Sequence, residues 1–257
     1  MELLTKTEQK LANELSSGSI VSLGILSEIA RKKGLMKQST LRKTMHSLSK
    51  KGVLVRILRG TYLVKKDSAF NPYVVARYLS PGAYVGFESA MSIYGYKTAV
   101  SSTIKVATSG KALAIKRISG YKYVMIPMGE MAFGSVFING AAVSSKAKTL
   151  FDCLYKPGHV DDFGAVLAMA RDMGKNDYSE FMEYASLVNS TVFLERTGMI
   201  LEAAKASGEI TGKIFGRIKK PVVSTLKPGK HTDKLQGKYS AKWHIYDNVG
   251  LGEMSRW

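Results

Sequence analysis

The stretch from residue 19 to residue 66 constrains the fold of this chain most, because it joins two helical patterns to two short runs of β-forming residues. The first pattern spans residues 22–31. Its apolar residues share one face at a 3.6-residue period: Leu23, Leu26, Ile29 and Ala30. Ser22 precedes them as an N-cap and Gly34 follows two lysines, so the pattern predicts a short amphipathic helix.

A second helical pattern, residues 38–51, places Leu41, Met45 and Leu48 on one face, and Gly52 ends it. The remaining surface of this helix is basic. A helix in the major groove of DNA reads base edges near its N-terminus and holds phosphates with its other cations. The residues that we expect to read or position DNA from this helix are Gln38, Ser39, Thr40, Arg42, Lys43, His46 and Lys50.

Two β-type runs, 53–58 and 61–64, flank Arg59-Gly60 and predict a hairpin with a cation at its tip. Two helices followed by such a hairpin are typical of a winged helix-turn-helix, in which the hairpin is the wing. Arg56 and Arg59 are the candidates to reach a phosphate or the minor groove. A helix over 5–16 is expected to back the pair.

The distribution of charge favours a polyanionic partner. Residues 1–66 hold 14 Lys and Arg against 4 Asp and Glu, residues 67–210 hold 14 against 13, and residues 211–257 hold 10 against 3. A basic amphipathic helix is by itself more often only a solvated face. Here, however, nearly all of the net charge of +18 lies at the two ends of the chain, as expected for a surface that binds nucleic acid.

The basic segment 211–257 predicts a loop or arm that holds phosphate without reading sequence. The alternative is a set of solvated cations flanking a closing strand. We expect the segment to include such a strand and to pack on the domain before it. Further phosphate contacts are expected from Lys32, Lys33, Lys37, Lys213, Arg217, Lys219 and Lys220.

Residues 70–210, after a linker at 65–68, predict an α+β domain, which makes the chain α+β as a whole. β-type runs between Gly and Ser turns predict a mostly antiparallel sheet: 103–108, 113–118, 121–126 and 135–138. Helical periods follow over 146–155, 160–173, 179–188 and 191–206. The sequence thus predicts three parts: a winged helix-turn-helix at 1–66, the α+β domain at 70–210, and the basic segment at 211–257.

Enzyme motifs are weak in this sequence. His159 lies near Asp161 and Asp162, but a helix should begin there, and acids favoured by its dipole are a better interpretation than a metal site. Gly134-Ser135 is similar to the start of a nucleotidyltransferase motif, without the metal-binding acids that should follow. We therefore expect no catalytic residues, no metal and no cofactor.

Cys153 is the single cysteine, so the chain forms no internal disulfide, and its apolar neighbours predict a buried thiol. The N-terminus carries acidic residues and lacks an apolar run of signal-peptide length. No stretch approaches the length of a membrane span. We expect a cytoplasmic protein without membrane contact.

Four segments follow one another in the order and rough spacing of a known family: Gly60-Thr-Tyr62, Ser89-Ala-Met-Ser-Ile-Tyr-Gly95, Lys148-Thr-Leu-Phe-Asp152 and Leu194-Glu-Arg-Thr-Gly-Met-Ile-Leu-Glu202. They resemble the AbiEi family, the antitoxins and autoregulators of type IV toxin-antitoxin systems, over nearly the whole chain. Trp243-His-Ile-Tyr-Asp-Asn248 is similar to the closing strand of that family. Each segment alone has a plainer interpretation, with Gly95 and Gly198 as helix stops and Asp152 as a surface or capping carboxylate.

The resemblance implies a winged helix that binds inverted repeats in its own promoter, and a C-terminal domain that counters a nucleotidyltransferase-like toxin encoded beside it. A type IV antitoxin acts without a stable complex with its toxin, so no tight protein partner is implied. Arg196-Thr-Gly198 replaces an expected Arg-Leu-Gly, and Met91 replaces a usual Leu, which indicates a divergent member.

The sequence leaves two points open. The chain is expected to bind double-stranded DNA as a monomer or as a dimer, and nothing in the pattern decides between these. The alternative to a transcriptional repressor is an enzyme that processes nucleic acid, or an RNA-binding protein, in which the winged helix only positions a centre within 70–210. The nearly neutral charge of that range argues against the alternative.

Overall fold

A computed structural model of the chain describes residues 3–65, 70–97, 101–111, 115–228 and 236–254. Most of the predicted linker at 65–68 and the start of the predicted run 113–118 lie outside these residues. The chain divides into two compact units. The first comprises 1–84, 102–132 and 137–142, and the second comprises 85–101, 133–136 and 143–257. The three-part division drawn from the sequence stays a prediction.

Residues 3–65 fold into helices and strands in the order α1 (Lys6–Asn13), β1 (Ile20–Ser22), α2 (Leu23–Lys32), α3 (Gln38–Lys50), β2 (Leu54–Leu58) and β3 (Thr61–Val64). The strands form a sheet in the order β1–β3–β2, with both pairings antiparallel. The predicted hairpin and the helices α2 and α3 are confirmed to within the one or two residues by which such assignments differ. The helix predicted over 5–16 is present but shorter, since α1 ends at Asn13. β1 was not predicted, because three residues carry too little periodicity.

Local sequence explains where these helices begin and end. The Ser22 hydroxyl accepts a hydrogen bond from the Ile25 amide at 3.2 Å, as an N-cap should. Gly34 and Gly52 follow α2 and α3 with positive φ angles of 59° and 74°, which other residues rarely adopt. The apolar faces of the three helices and the sheet meet in one core that includes Leu11, Leu26, Leu41, Met45, Leu48 and Val64.

A larger sheet contains β4 (Tyr84–Val85), β5 (Thr103–Thr108), β6 (Lys116–Ile118), β7 (Tyr121–Pro127), β8 (Ser135–Ile138) and β9 (Ala141–Ser144), in the order β6–β7–β5–β4–β9–β8. This sheet is mixed, whereas a mostly antiparallel one was predicted. β6 and β7 form an antiparallel hairpin, but β5 pairs with β7, and β4 with β9, in parallel. Alternation along a strand sets which face is buried and carries no information on the direction of its neighbour.

The second unit is mainly helical, with α4 (Phe87–Ile93), α5 (Lys146–Tyr155), α6 (Phe163–Asp172), α7 (Lys175–Ser186), α8 (Thr191–Ala203), α9 (Gly208–Phe215) and α10 (Leu251–Met254). A small sheet adds β10 (Ser224–Thr225), β11 (Lys238–Ser240) and β12 (Ile245–Asp247), in the order β10–β12–β11. The predicted helices after residue 146 are confirmed, and the chain is α+β. Among the described helices, none combines the length and the apolar character needed to cross a membrane.

The described part of the C-terminal segment is built into the second unit and is not a free arm. Trp243 is 2% exposed and covers Gly198 so closely that a Cβ at this glycine would lie 2.0 Å from the indole ring. Arg196 donates hydrogen bonds to the carbonyl oxygens of Leu226 at 2.7 Å and Thr225 at 3.4 Å. Gly198 therefore lies inside α8 as a packing residue, and the interpretation of it as a helix stop is wrong.

α5 carries a charged pair in the core of the second unit. Lys148 and Asp152, one helical turn apart, are both fully buried and form an ion pair. The Lys148 ammonium lies 5.0 Å from the centre of the Phe133 ring and 4.7 Å from that of Phe151, and burial lowers its pKa. Asp152 is therefore no surface carboxylate, and the neighbouring Cys153 is buried as predicted.

Candidate nucleic-acid interface

α3 separates an apolar face from a polar one. Leu41, Thr44, Met45 and Leu48 are buried against the core. The residues that the sequence assigned to DNA recognition are all exposed: Gln38, Ser39, Thr40, Arg42, Lys43, His46 and Lys50. The structure thus keeps the whole predicted set on the solvent side of one helix, where a groove of nucleic acid can reach it.

The cations of α3 are not paired with acids in the part of the chain that the structure describes. Among the described residues, no carboxylate lies within salt-bridge distance of Arg42, Lys43 or Lys50. α2 differs, because Lys32 pairs with Glu28 at 2.7 Å and Lys33 pairs with Glu14 at 3.4 Å. Unpaired cations held on one helix concentrate positive potential there and remain available to phosphates.

The N-terminus of α3 adds to this potential. Its N-cap is Lys37, which makes no side-chain capping hydrogen bond, and its first turn contains no acid. α1, by contrast, begins with a capping box in which Glu8 and Thr5 bond to each other's backbone amides. The first-turn amides and the helix dipole of α3 are therefore left to face solvent or an anion.

A partly buried ion pair fixes α3 against α1. The Lys51 ammonium, 13% exposed at the end of α3, donates to the Glu8 carboxylate, 5% exposed, at 2.7 Å and to the Leu3 carbonyl at 2.9 Å. The hydrogen bond from Lys51 lowers the pKa of Glu8 to about 2. Lys51 is therefore paired and not available to a ligand, but its ion pair helps to position α3, which carries Arg42, Lys43 and Lys50.

The β2–β3 hairpin presents its cations at one end. Arg56 and Arg59 are exposed, and the Arg56 Nε donates to the Leu58 carbonyl at 3.4 Å beside an irregularity in the strand register. The tip is attached to the helices, since the Gly60 carbonyl accepts a hydrogen bond from the Leu23 amide at 2.8 Å. The hairpin and α2 therefore hold a fixed relation to each other.

The cations predicted in the C-terminal segment divide into two kinds. Lys213 pairs with Glu209 at 2.6 Å. Arg217 donates to the carbonyls of Ala185 and Val188 at 3.0 and 3.1 Å, which satisfies the end of α7. Lys219 and Lys220 are exposed, and the described residues offer them no acidic partner. Arg217 is thus a structural residue, and the two lysines remain the candidates for phosphate contact.

The acids near His159 have structural roles. Asp162 caps α6 by accepting a hydrogen bond from the Ala165 amide at 2.9 Å, which confirms that a helix begins here. Asp162 is the N-cap and Asp161 precedes it, so neither acid lies in the first turn of the helix, where the prediction placed them. The Asp161 amide donates to the Glu88 carboxylate, and the Asp161 carboxylate lies 3.7 Å from the Lys227 ammonium. No group of three or more His, Cys, Asp and Glu suited to a metal ion occurs in the described part of the chain.

Sequence analysis missed part of the basic surface. By compact unit, the first holds 20 Lys and Arg against 6 Asp and Glu, and the second holds 18 against 14. The range 67–210 looked neutral because it averages acidic helices with the basic stretch 102–132, which has 5 cations and 1 acid. That stretch belongs to the same unit as α3, and a shorter counting window would have found it.

These features define an α+β protein with an exposed basic helix and hairpin near its N-terminus. Its fold is similar to the crystal structure of the Rv2827c protein from Mycobacterium tuberculosis, with a TM-score of 0.68 over 98% of this chain and 92% of that chain. The sequences are 14% identical, so the likeness is one of fold alone. No protein-family model and no curated protein matches the sequence.

Proposed function

We propose that this protein is a sequence-specific double-stranded DNA-binding transcriptional regulator, and that its first 65 residues act as a winged helix-turn-helix. The observation that carries the proposal is the basic face of α3, which is exposed and has no acidic partner among the described residues, on a helix whose other face is fixed in a core. The order of three helices with a closing antiparallel hairpin supports it, because this order presents one helix and one hairpin to a duplex.

In this proposal α3 enters the major groove, which is about 12 Å wide and admits a helix about 10–12 Å across. Gln38, Ser39 and Thr40 meet base edges at the N-terminal end of the helix. Arg42 reads a base through the bidentate geometry that guanine favours, while Lys50 binds a phosphate. Arg59, at the tip of the hairpin, contacts the backbone or the minor groove.

The biological role that we propose is repression of its own promoter, through inverted repeats filled by two copies of the chain. An antitoxin role is proposed on the resemblance to the AbiEi family alone. The matching residues of α5 and α8, such as Asp152 and Arg196, are buried, so they support a related core and offer no surface for a toxin. Co-expression with a nucleotidyltransferase-like protein encoded next to this chain tests the antitoxin role, and growth arrest that persists would contradict it.

Substitutions on α3 test DNA recognition. Arg42→Ala should relax the preference for the operator over a duplex with one base pair changed by about 1–3 kcal/mol, because it removes a base contact. Lys50→Ala should weaken binding to all sequences alike, because it removes only a phosphate contact. Titration of fluorescent duplexes measures both effects, with Lys175→Ala, an exposed lysine of the second unit, as the control.

Two results would contradict the proposal. One is a wild-type chain that binds its upstream DNA no better than a random duplex of the same length. The other is an Arg42→Ala variant with unchanged discrimination. Stronger binding to duplex RNA of the same sequence would instead favour the RNA-binding alternative.

A further inference from the structure

The β6–β7 hairpin places two cations side by side. Arg117 lies directly opposite Lys122 in the antiparallel register, so both side chains leave the sheet on the same face. Lys122 also neighbours Thr103 of β5, and Lys105, two residues further on, lies on that face as well. Like charges in directly opposed positions destabilise a sheet. We call Arg117 and Lys122 the sheet cation pair.

This face is turned away from the core. On the other face, Ile104 and Tyr123 are 1% and 0% exposed, and the Tyr123 hydroxyl donates to the Pro72 carbonyl at 2.8 Å. Lys116, opposite Tyr123, lies on that inner face, and burial lowers its pKa. Arg117 is exposed and Lys122 is half-buried. The alternation of the strand thus directs one cation inward and its neighbour outward.

In the described part of the chain, no acid pairs with either of these two cations. Among the described residues, neither Arg117 nor Lys122 forms a salt bridge or a side-chain hydrogen bond. The single acid between residues 102 and 132 is Glu130, which lies in the 3₁₀ turn Gly129–Met131 beyond the end of β7. Because no described acid offsets the repulsion within the pair, the site is suited to an anion that binds there.

Turn geometry and strand pairing define the backbone of the β6–β7 hairpin. Ser119 and Gly120 form its two-residue loop with φ angles of 51° and 88°, the backbone signs that a type I′ hairpin turn requires. β7 is paired on both sides, with β6 and with β5 over Thr103–Thr108. The backbone positions of Arg117 and Lys122 are thus set by strand pairing.

The pair also lies near the surface described above. β6 packs against β2, the first strand of the hairpin that carries Arg56 and Arg59, and all of these belong to the first compact unit. A repeating anion of high charge density matches several separate cations on one unit better than a single small anion does. The phosphate backbone of a DNA duplex has this property.

We propose that the sheet cation pair binds the DNA backbone beside the segment contacted by α3 and the β2–β3 hairpin. The inference rests on the proposed DNA-binding function and extends it to a second, sequence-independent contact. Its energetic role is to convert an unfavourable like-charge pair into two phosphate contacts. The pair therefore adds affinity without adding discrimination.

Salt dependence of binding tests this directly with the full-length chain. Arg117→Gln combined with Lys122→Gln should lower the slope of log affinity against log salt by about 2, one for each phosphate contact. Between 50 and 200 mM salt, the ratio of wild-type to variant affinity should then shrink about tenfold. Preference for the operator over a random duplex should stay unchanged.

A charge-matched control is available. Lys175→Gln with Lys205→Gln removes two exposed lysines from the second unit and should leave the slope unchanged. Arg117→Lys, which keeps the positive charge, should also leave the salt slope unchanged. Circular dichroism checks that each variant is folded, and Lys122→Gln alone serves if the double variant is not.

The outcomes separate the two proposals. A wild-type chain that binds no duplex overturns the proposed function and this inference together. A wild-type chain that binds, with a double variant of unchanged slope, overturns only the inference. A double variant that loses operator preference also overturns it, because the pair would then read bases and not phosphates.

Discussion

Gly198 shows what a single residue contributes to the second unit. The indole of Trp243 lies directly over Gly198, which is in the middle of α8. The indole Nε1 donates to the Glu202 carboxylate at 2.6 Å, and the ring centre lies 5.7 Å from that of Phe215 in an edge-to-face arrangement. A glycine in the middle of a helix ordinarily lowers stability. Here the absence of a Cβ is what allows the closest packing between α8 and the C-terminal segment.

Gly198→Ala should therefore lower the free energy of unfolding by about 1–3 kcal/mol, because the new methyl group forces the ring to move. Chemical denaturation measures the change. Gly212→Ala is the matched control: it lies inside α9 with open space around it, and should raise stability by about 0.5–1 kcal/mol. Equal effects of the two substitutions would contradict this account of the packing.

Helices and strands were predictable where their signals are local. Ser22, Gly34 and Gly52 act within one turn of the backbone, and so the limits of α2 and α3 followed from the sequence. The parallel pairing of β5 with β7 could not be predicted in this way. It depends on β6 lying on the far side of β7, and β5 and β7 are about 20 residues apart in sequence. The exposed face of α3 was predicted in full, since it follows from helical periodicity alone.

The ion pair between Glu8 of α1 and Lys51 at the end of α3 should make stability depend on pH. The folded-state pKa of Glu8 is about 2, below its ordinary value of 4.5, so its ion pair with Lys51 contributes stability above pH 4.5 and loses it as the pH falls toward 2. Glu8→Gln should melt at a lower temperature than the wild type at neutral pH. That difference should shrink across this acidic window.

Thermal melts followed by circular dichroism at a series of pH values give the comparison. Glu28→Gln is the control, because Glu28 belongs to an exposed pair with Lys32 and such pairs contribute little. A difference between wild type and Glu8→Gln that stays constant down to pH 2 would contradict the role assigned to Glu8.

Most of the net positive charge of the chain belongs to the first compact unit, which is assembled from segments that are not continuous in sequence. The first unit contains α3, the β2–β3 hairpin and the sheet cation pair, although residues 85–101 separate the last of these in sequence. The first two were predictable from the sequence because each is one continuous pattern. Arg117 and Lys122 were not, because strand register brings them together across a turn.

The C-terminal segment should contribute to the stability of the second unit and, through Lys219 and Lys220, to DNA binding. A chain ending at Gly208 loses Trp243 and the Thr225 and Leu226 carbonyls that accept hydrogen bonds from Arg196, so its second unit should no longer unfold cooperatively. Lys219→Ala with Lys220→Ala leaves that packing intact, and should lower the salt slope of DNA binding by about 2 if both lysines reach the duplex. Differential scanning calorimetry and salt titrations measure the two effects. A truncated chain that melts like the full-length protein would contradict the packing.

The hydrogen bond from the Leu23 amide to the Gly60 carbonyl has a consequence for how a duplex would be engaged. This bond joins the tip of the hairpin to the first residue of α2, and α2 packs against the same core as α3. In the proposed DNA-binding role, a hairpin and helices joined in this way would change their relative positions little on binding. Adjustment on encounter would then fall to the nucleic acid, and sequences that bend or widen readily would be favoured even at base pairs that no side chain touches.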